Sequence, residues 1–193
     1  MRALFIAVTL GLMGCVSHTV YQPIDHPIEK VSCSCCAPLI SSIQRIKDGV
    51  VIKNKVYKAY SFEDKASHLY LTMEIALAPG MKAKLHDTRM SVSWTGQAEP
   101  THFELSEFSS GAEGFGVPRL TYSADQVLVG TNRLGELSPP YGPTERFNAY
   151  IALSSMQPPE ITVIPPKVLV GDQVFVPLPV KFKLREVSVP CVQ

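Results

Sequence analysis

The stretch that decides the fold is Leu69-Tyr70-Leu71-Thr72-Met73-Glu74-Ile75-Ala76-Leu77. Large apolar residues at every odd position alternate with Tyr70, Thr72, Glu74 and Ala76. That period of two turns one apolar face inward on an antiparallel strand. Ala78-Pro79-Gly80 then breaks the run. Working outward, the same period recurs at Met90, Val92 and Trp94, at Phe103 and Leu105, and at Phe147, Ala149, Ile151 and Leu153. Val180, Phe182 and Leu184 repeat it against Lys181, Lys183 and Arg185. Val168-Leu169-Val170, Gly171-Asp172 and Gln173-Val174-Phe175-Val176 read as a hairpin, because glycine tolerates the positive φ of a tight turn.

Strands this short, split by Pro and Gly clusters, predict a mostly β chain. The expected fold is an antiparallel β-sandwich, immunoglobulin-like arrangements included, with a closed barrel as the alternative. At most one short helix is expected, near the N-terminus. Leu39, Ile43 and Ile46 stand four and three apart, Pro38 suits a first turn, and Gly49 suits a stop.

The chain opens Met1-Arg2 and is then apolar from Ala3 to Met13, broken only by Thr9 and Gly11. Such a run is too short to span a bilayer, which takes roughly 20 residues of helix. Behind a basic residue it reads as the apolar region of a secretory signal. It ends in Leu12-Met13-Gly14-Cys15, which resembles the lipobox of bacterial lipoproteins, Leu-x-(Ala/Gly)-Cys. The resemblance implies a diacylglyceryl group on the Cys15 thiol and cleavage between Gly14 and Cys15. A small Gly14 leaves room for a peptidase, a thiol is readily alkylated as its thiolate, and two or more acyl chains anchor stably. Asp directly after the lipidated Cys often marks retention in the inner membrane of Gram-negative bacteria. Val16 stands there instead, which in such a host implies the periplasmic face of the outer membrane.

Removing residues 1–14 leaves 193 − 14 = 179 residues, a single domain's worth. The expected organisation is a signal peptide over 1–14, a lipidated Cys with a flexible tether over 15–32, and one β domain over 33–193. The tether reading rests on Pro23 and Pro27 and on the lack of periodicity in Val16–Ser32. Without Arg2 the mature chain carries 17 basic and 17 acidic residues, so it has no field to attract nucleic acid.

With Cys15 acylated, Cys33, Cys35, Cys36 and Cys191 remain, an even number in an exported chain. Any complete pairing joins one of the three clustered cysteines to Cys191. Strain favours Cys33–Cys36 as the local bond and hence Cys35–Cys191 as the long one. Closing a loop of about 150 residues is worth roughly 4–5 kcal/mol in the chain-entropy picture. The alternatives are a thiolate site for zinc or Cu(I) and thiol exchange.

No other motif commits the chain to a reaction. His18, His26, His68, His86 and His102 form no His-x-His or His-Glu-x-x-His pair and read as surface residues. There is no Gly-x-Ser-x-Gly elbow, and Gly111–Gly116 has the wrong spacing for a dinucleotide loop. Glu104 and Glu107 are carboxylates that sequence alone cannot set across a cleft. The stripe Lys181, Lys183, Arg185 is expected to guard an exposed sheet edge.

The functional expectation is therefore a non-catalytic lipoprotein without a cofactor, held in the envelope by its lipid. It would bind or stabilise another envelope protein, as an assembly accessory or an immunity-type inhibitor. The competing expectations are a ligand or metal carrier built on Cys33–Cys36 and a hydrolase with an unrecognised site.

Overall fold

A computed structural model describes residues 14–31, 37–61, 66–112, 117–132, 144–154 and 157–191. Every element among them is a strand, and every pairing is antiparallel. In chain order they are β1 (Gly14–Pro23), β2 (Ile28–Val31), β3 (Leu39–Lys47), β4 (Val50–Ser61), β5 (Ala66–Leu77), β6 (Lys82–Leu85), β7 (Arg89–Trp94) and β8 (Thr101–Glu104). There follow β9 (Glu107–Ala112), β10 (Val117–Ser123), β11 (Leu128–Val129), β12 (Glu145–Ser154), β13 (Glu160–Ile164), β14 (Val168–Val170), β15 (Gln173–Phe175) and β16 (Val180–Cys191).

Two sheets face each other, one of five strands in the order β1-β16-β13-β7-β8 and one of seven in the order β10-β9-β12-β5-β4-β3-β2. A four-stranded sheet, β11-β6-β14-β15, adds a third layer element. The predicted sandwich is thus present, with open sheet edges rather than the closure of a barrel.

The alternation read from the sequence is what fills it. Leu69, Leu71, Met73, Ile75 and Leu77 are all buried, beside Val50, Ile52, Phe147 and Ala149 of the same sheet and in one cluster with Met90, Val92, Ile161, Val163, Val180 and Phe182 of the five-stranded sheet. Burying side chains of this size is worth about 1.5–3 kcal/mol each. The predicted Gly171-Asp172 hairpin joins β14 to β15, with Gly171 at φ 61°. Glu145, buried in β12, accepts hydrogen bonds from the hydroxyls of Ser110 in β9 and Thr131.

Three expectations change. The segment expected as a helix is strand β3. Its inward positions are Ile40, Ser42 and Gln44, so two polar residues occupy the buried face and hide the period of two. Both polar side chains have partners. The Ser42 hydroxyl accepts the Asn54 amide, and the Gln44 carboxamide bonds both backbone groups of Leu178. Gly49 does end the element, but as the φ 79° residue of the turn into β4.

The span expected as a free tether carries β1 and β2 instead. β1 pairs residue for residue with β16, from Gly14 opposite Cys191 to Pro23 opposite Phe182. Val20 and Tyr21 are buried, and the Tyr21 hydroxyl donates to the Pro158 carbonyl at 2.7 Å. The ladder supplies order where apolar periodicity is absent.

The third change concerns the basic stripe. β16 lies between β1 and β13, so Lys181 and Lys183 stand where it is an interior strand and guard no edge, while Arg185 lies past the end of the β13 ladder and pairs with β1 alone. Lys183 pairs with Glu160 across to β13 at 3.1 Å.

Candidate functional site

The β1·β16 ribbon gives the molecule two ends. Cys15 lies opposite Pro190 at one end, and Pro23 lies opposite Phe182 toward the other. The eight steps between Cys15 and Pro23 cover about 26 Å at the rise of an extended strand. Just beyond Phe182, the chain preceding β16 builds the most apolar exposed surface of the described residues. Val176 is 68% exposed and Leu178 64%, with Ile24, Ile28 and Val174 also open to solvent.

These side chains are held outward by their neighbours. Pro177, between Val176 and Leu178, is buried. Gln44 Nε2 donates to the Leu178 carbonyl at 2.9 Å, and its Oε1 accepts the Leu178 amide at 2.8 Å. The imidazole Nε2 of His26 lies 2.9 Å from the Pro179 carbonyl. The chain is thus fixed on both flanks, leaving the apolar tips no way to fold inward.

Three hollows run along this end and share walls. The first, about 540 Å³, lies between Pro27, Ile43, Ile46, Phe175 and Leu178, with His26 and Arg45 at its rim. Val176 forms its far wall and also borders the second, about 530 Å³, which is walled by Ile164, Pro165, Pro166 and Arg89. Glu104 in turn borders both the second hollow and a third, polar one of about 360 Å³. The three adjoin at Val176 and Glu104 and are taken together as the candidate groove, apolar at the Val176 end and polar at the Tyr150 end.

The polar end brings together residues that are far apart in sequence. Glu104 and Glu107 line it with Arg119, Ser109, Asn148 and Tyr150. The hydroxyl of Thr88 at 2.7 Å and the guanidinium of Arg89 at 3.3 Å hold the Glu104 carboxyl below the ordinary carboxylate range. Burial pushes the Tyr150 phenol up, as does the nearby Tyr57. Acid–base hydrolysis by two carboxyls needs one of them kept protonated by its surroundings, and the shift of Glu104 runs the other way. The Ser91 hydroxyl meets His102 Nδ1 at 2.8 Å on the exposed face of β7·β8. Among the described residues no carboxylate hydrogen-bonds that imidazole to orient it as a base.

The outer face of the seven-stranded sheet carries charges that answer one another. Lys53 reaches Glu29 at 2.7 Å and Glu74 at 3.3 Å. Burial lowers the Lys55 ammonium below the ordinary lysine value, against the pull of Glu74 and Glu29. Lys55 lies 5.0 Å from the ring centre of Tyr57, which stacks on Tyr70. Lys53 and Glu74 are thus a largely buried ion pair, and Lys55 is shielded beside them under the Tyr57 ring.

Of the residues singled out from sequence, Gly14 and Cys15 open β1, and Cys191 closes β16 opposite Gly14. Cys33, Cys35 and Cys36 lie outside the described residues, as does the side chain of Cys191, so the pairing Cys33–Cys36 with Cys35–Cys191 does too. Among the described residues no three of His, Cys, Asp and Glu converge as metal ligands. The groove itself escaped sequence reading, because Val176, Leu178, Gln44 and Arg45 belong to segments with no motif. The only signal was the density of proline at 165, 166, 177 and 179.

No family model matches the chain, and no curated protein matches it.

Proposed function

We propose that this chain is a non-catalytic, lipid-anchored envelope protein that presents its groove to another envelope protein at the end away from the bilayer. The observation that supports this most is the opposition of the two ends. The cysteine that resembles a lipidation site begins β1, while the exposed apolar tips of Val176 and Leu178 lie beyond its other end. With β1 paired from Cys15 itself onward, an acyl anchor on Cys15 would leave almost no slack between lipid and domain. The groove would then stand some 26 Å or more from the headgroups on the extended-strand estimate. Covering Val176 and Leu178 would remove two aliphatic side chains from water, worth about 1.5–3 kcal/mol each when complete. Confinement to a membrane layer raises the effective concentration of a partner in the same layer, so a modest interface suffices. Val16 after the cysteine favours the outer membrane where the host is Gram-negative. An assembly accessory and an immunity-type inhibitor both meet this description.

The test has two arms. Metabolic labelling with a palmitate analogue should mark the native chain and leave Cys15→Ser unmarked. Crosslinking in intact cells should capture one defined protein with the native chain and lose it with Cys15→Ser. Absence of label on the native chain would overturn the anchor. Absence of any crosslinked partner, with both forms folded and present, would overturn the binding role.

A further inference from the structure

The first hollow is a notch in a sheet edge. β2 covers β3 only from Leu39 to Ser42, and the last contact is the Ile43 amide donating to the Pro27 carbonyl at 2.8 Å. The chain on the other side of Pro27 then turns away, and the Ile24 amide bonds Lys181 in β16. Gln44 to Lys47 therefore continue β3 paired with β4 on one side and with no paired strand among the described residues on the other. Backbone groups alternate sides along a strand, and β3 stays in register with β4 as far as Arg45, before the irregularity between Arg45 and Lys47, so the amide and carbonyl of Arg45 point the same way as those of Ile43, into the notch. Among the described residues no backbone bond reaches them.

The walls add two further requirements. Ile43, Ile46, Phe175, Val176 and Leu178 make the floor and sides apolar. The ionisable groups at the rim are His26 and Arg45; Asp25 and Asp48, on the flanking turns, do not line it. A complementary ligand must offer backbone-like donors and acceptors in a row, an apolar side chain, and a negative charge beside it.

We infer that this notch docks an extended segment of a partner polypeptide, which adds alongside β3 at Arg45 and sets an apolar side chain flanked by a carboxylate against Val176 and the Arg45 guanidinium. Strand addition uses the main chain for affinity and alternate side chains for selection. A long-chain carboxylic acid would meet the apolar and charge requirements but leaves the Arg45 amide and carbonyl unanswered. The inference rests on the proposed binding role and names its partner's chemistry.

The experiment selects a random decapeptide phage library against the full mature chain carrying Cys15→Ser, which needs neither membrane nor cell. Enriched peptides should share an apolar residue next to Asp or Glu. Their affinity should fall roughly tenfold or more in Arg45→Glu and in Val176→Asp, as for anchors of an interface. It should stay within about twofold in Arg185→Glu, an exposed change on β16 that does not line the notch. Hydrogen exchange at the Arg45 amide should slow on binding. Val176 is exposed, so its substitution leaves folding intact, and unchanged melting verifies this. The inference is overturned if no peptide is enriched, if enriched peptides ignore both substitutions, or if Arg45 exchange is unaffected. Protection by decanoate with no peptide binding would also overturn it, in favour of a lipid site. A partner crosslinked in cells together with a silent library would leave the binding role standing and remove this site from it.

Discussion

The two ends of the β1·β16 ribbon are held by different forces. At the Val176 end, apolar side chains face water, yet the chain bearing them is clamped by Gln44, His26 and buried Pro177. At the Cys15 end, Gly14 to His18 pair with Val187 to Cys191 alone, since β13 reaches only as far as Lys183 along β16. One end exposes apolar surface on a rigid frame; the other is a two-stranded ladder along which Val20, Tyr21 and Val189 are buried. Rigid exposed apolar surface marks a place to bind, because little ordering entropy remains to be lost. A thin ladder is where local opening costs least.

Breaking the packed end should have the largest effect. A Cβ on Gly130 would sit 2.1 Å from the Ala78 carbonyl oxygen, beside the turn where the Gly80 amide bonds Gly130 and the Gly130 amide bonds Met81. Gly130→Ala is expected to cost about 1–3 kcal/mol, the range for overpacking, read as a lower denaturant midpoint at an unchanged slope. Next comes the clamp. Gln44→Ala leaves the Leu178 amide and carbonyl without their partner and should cost about 1–3 kcal/mol. Its decisive readout is faster exchange of the Leu178 amide with β1 exchange unaltered; coupled loosening of β1 would show that the two ends are not independent.

The ribbon end offers a smaller, pH-dependent effect. Burial pushes the Tyr21 phenol up to about 12, so the folded chain favours the neutral form. That contribution is complete below the ordinary tyrosine value near 10 and is lost as pH rises toward 12. Tyr21→Phe should lower stability at neutral pH by about 1 kcal/mol through the lost bond to Pro158, and should flatten the fall between pH 10 and 12 in a denaturation series. An unchanged alkaline limb would assign that fall to other groups. Smallest of all, Lys183→Ala removes an exposed pair with Glu160 and should shift stability by less than about 0.5 kcal/mol. A larger loss would show that the ladder depends on side chains more than its exposure suggests.

The core was legible in sequence wherever one face of a strand is uniformly apolar. Leu69–Leu77 is the clearest case, and Met90–Trp94, Phe147–Leu153 and Val180–Leu184 follow it. β3 was misread because Ser42 and Gln44 take inward positions, and only their bonds to Asn54 and Leu178 make that tolerable. β1 was unreadable because a strand held mainly by its ladder needs no alternating pattern.

Sequence by itself determined the inward faces of the sandwich, the Gly171 turn and the resemblance of Leu12–Cys15 to a lipobox, since each depends on neighbours within a few residues. Only the tertiary structure decided that β1 lies beside β16, that the basic stripe sits on an interior strand, and that Val176 and Leu178 stand at the end opposite Cys15. Those facts rest on contacts between residues more than a hundred positions apart, such as Gln44 with Leu178. Local propensity carries no information about which distant strand will supply a backbone partner.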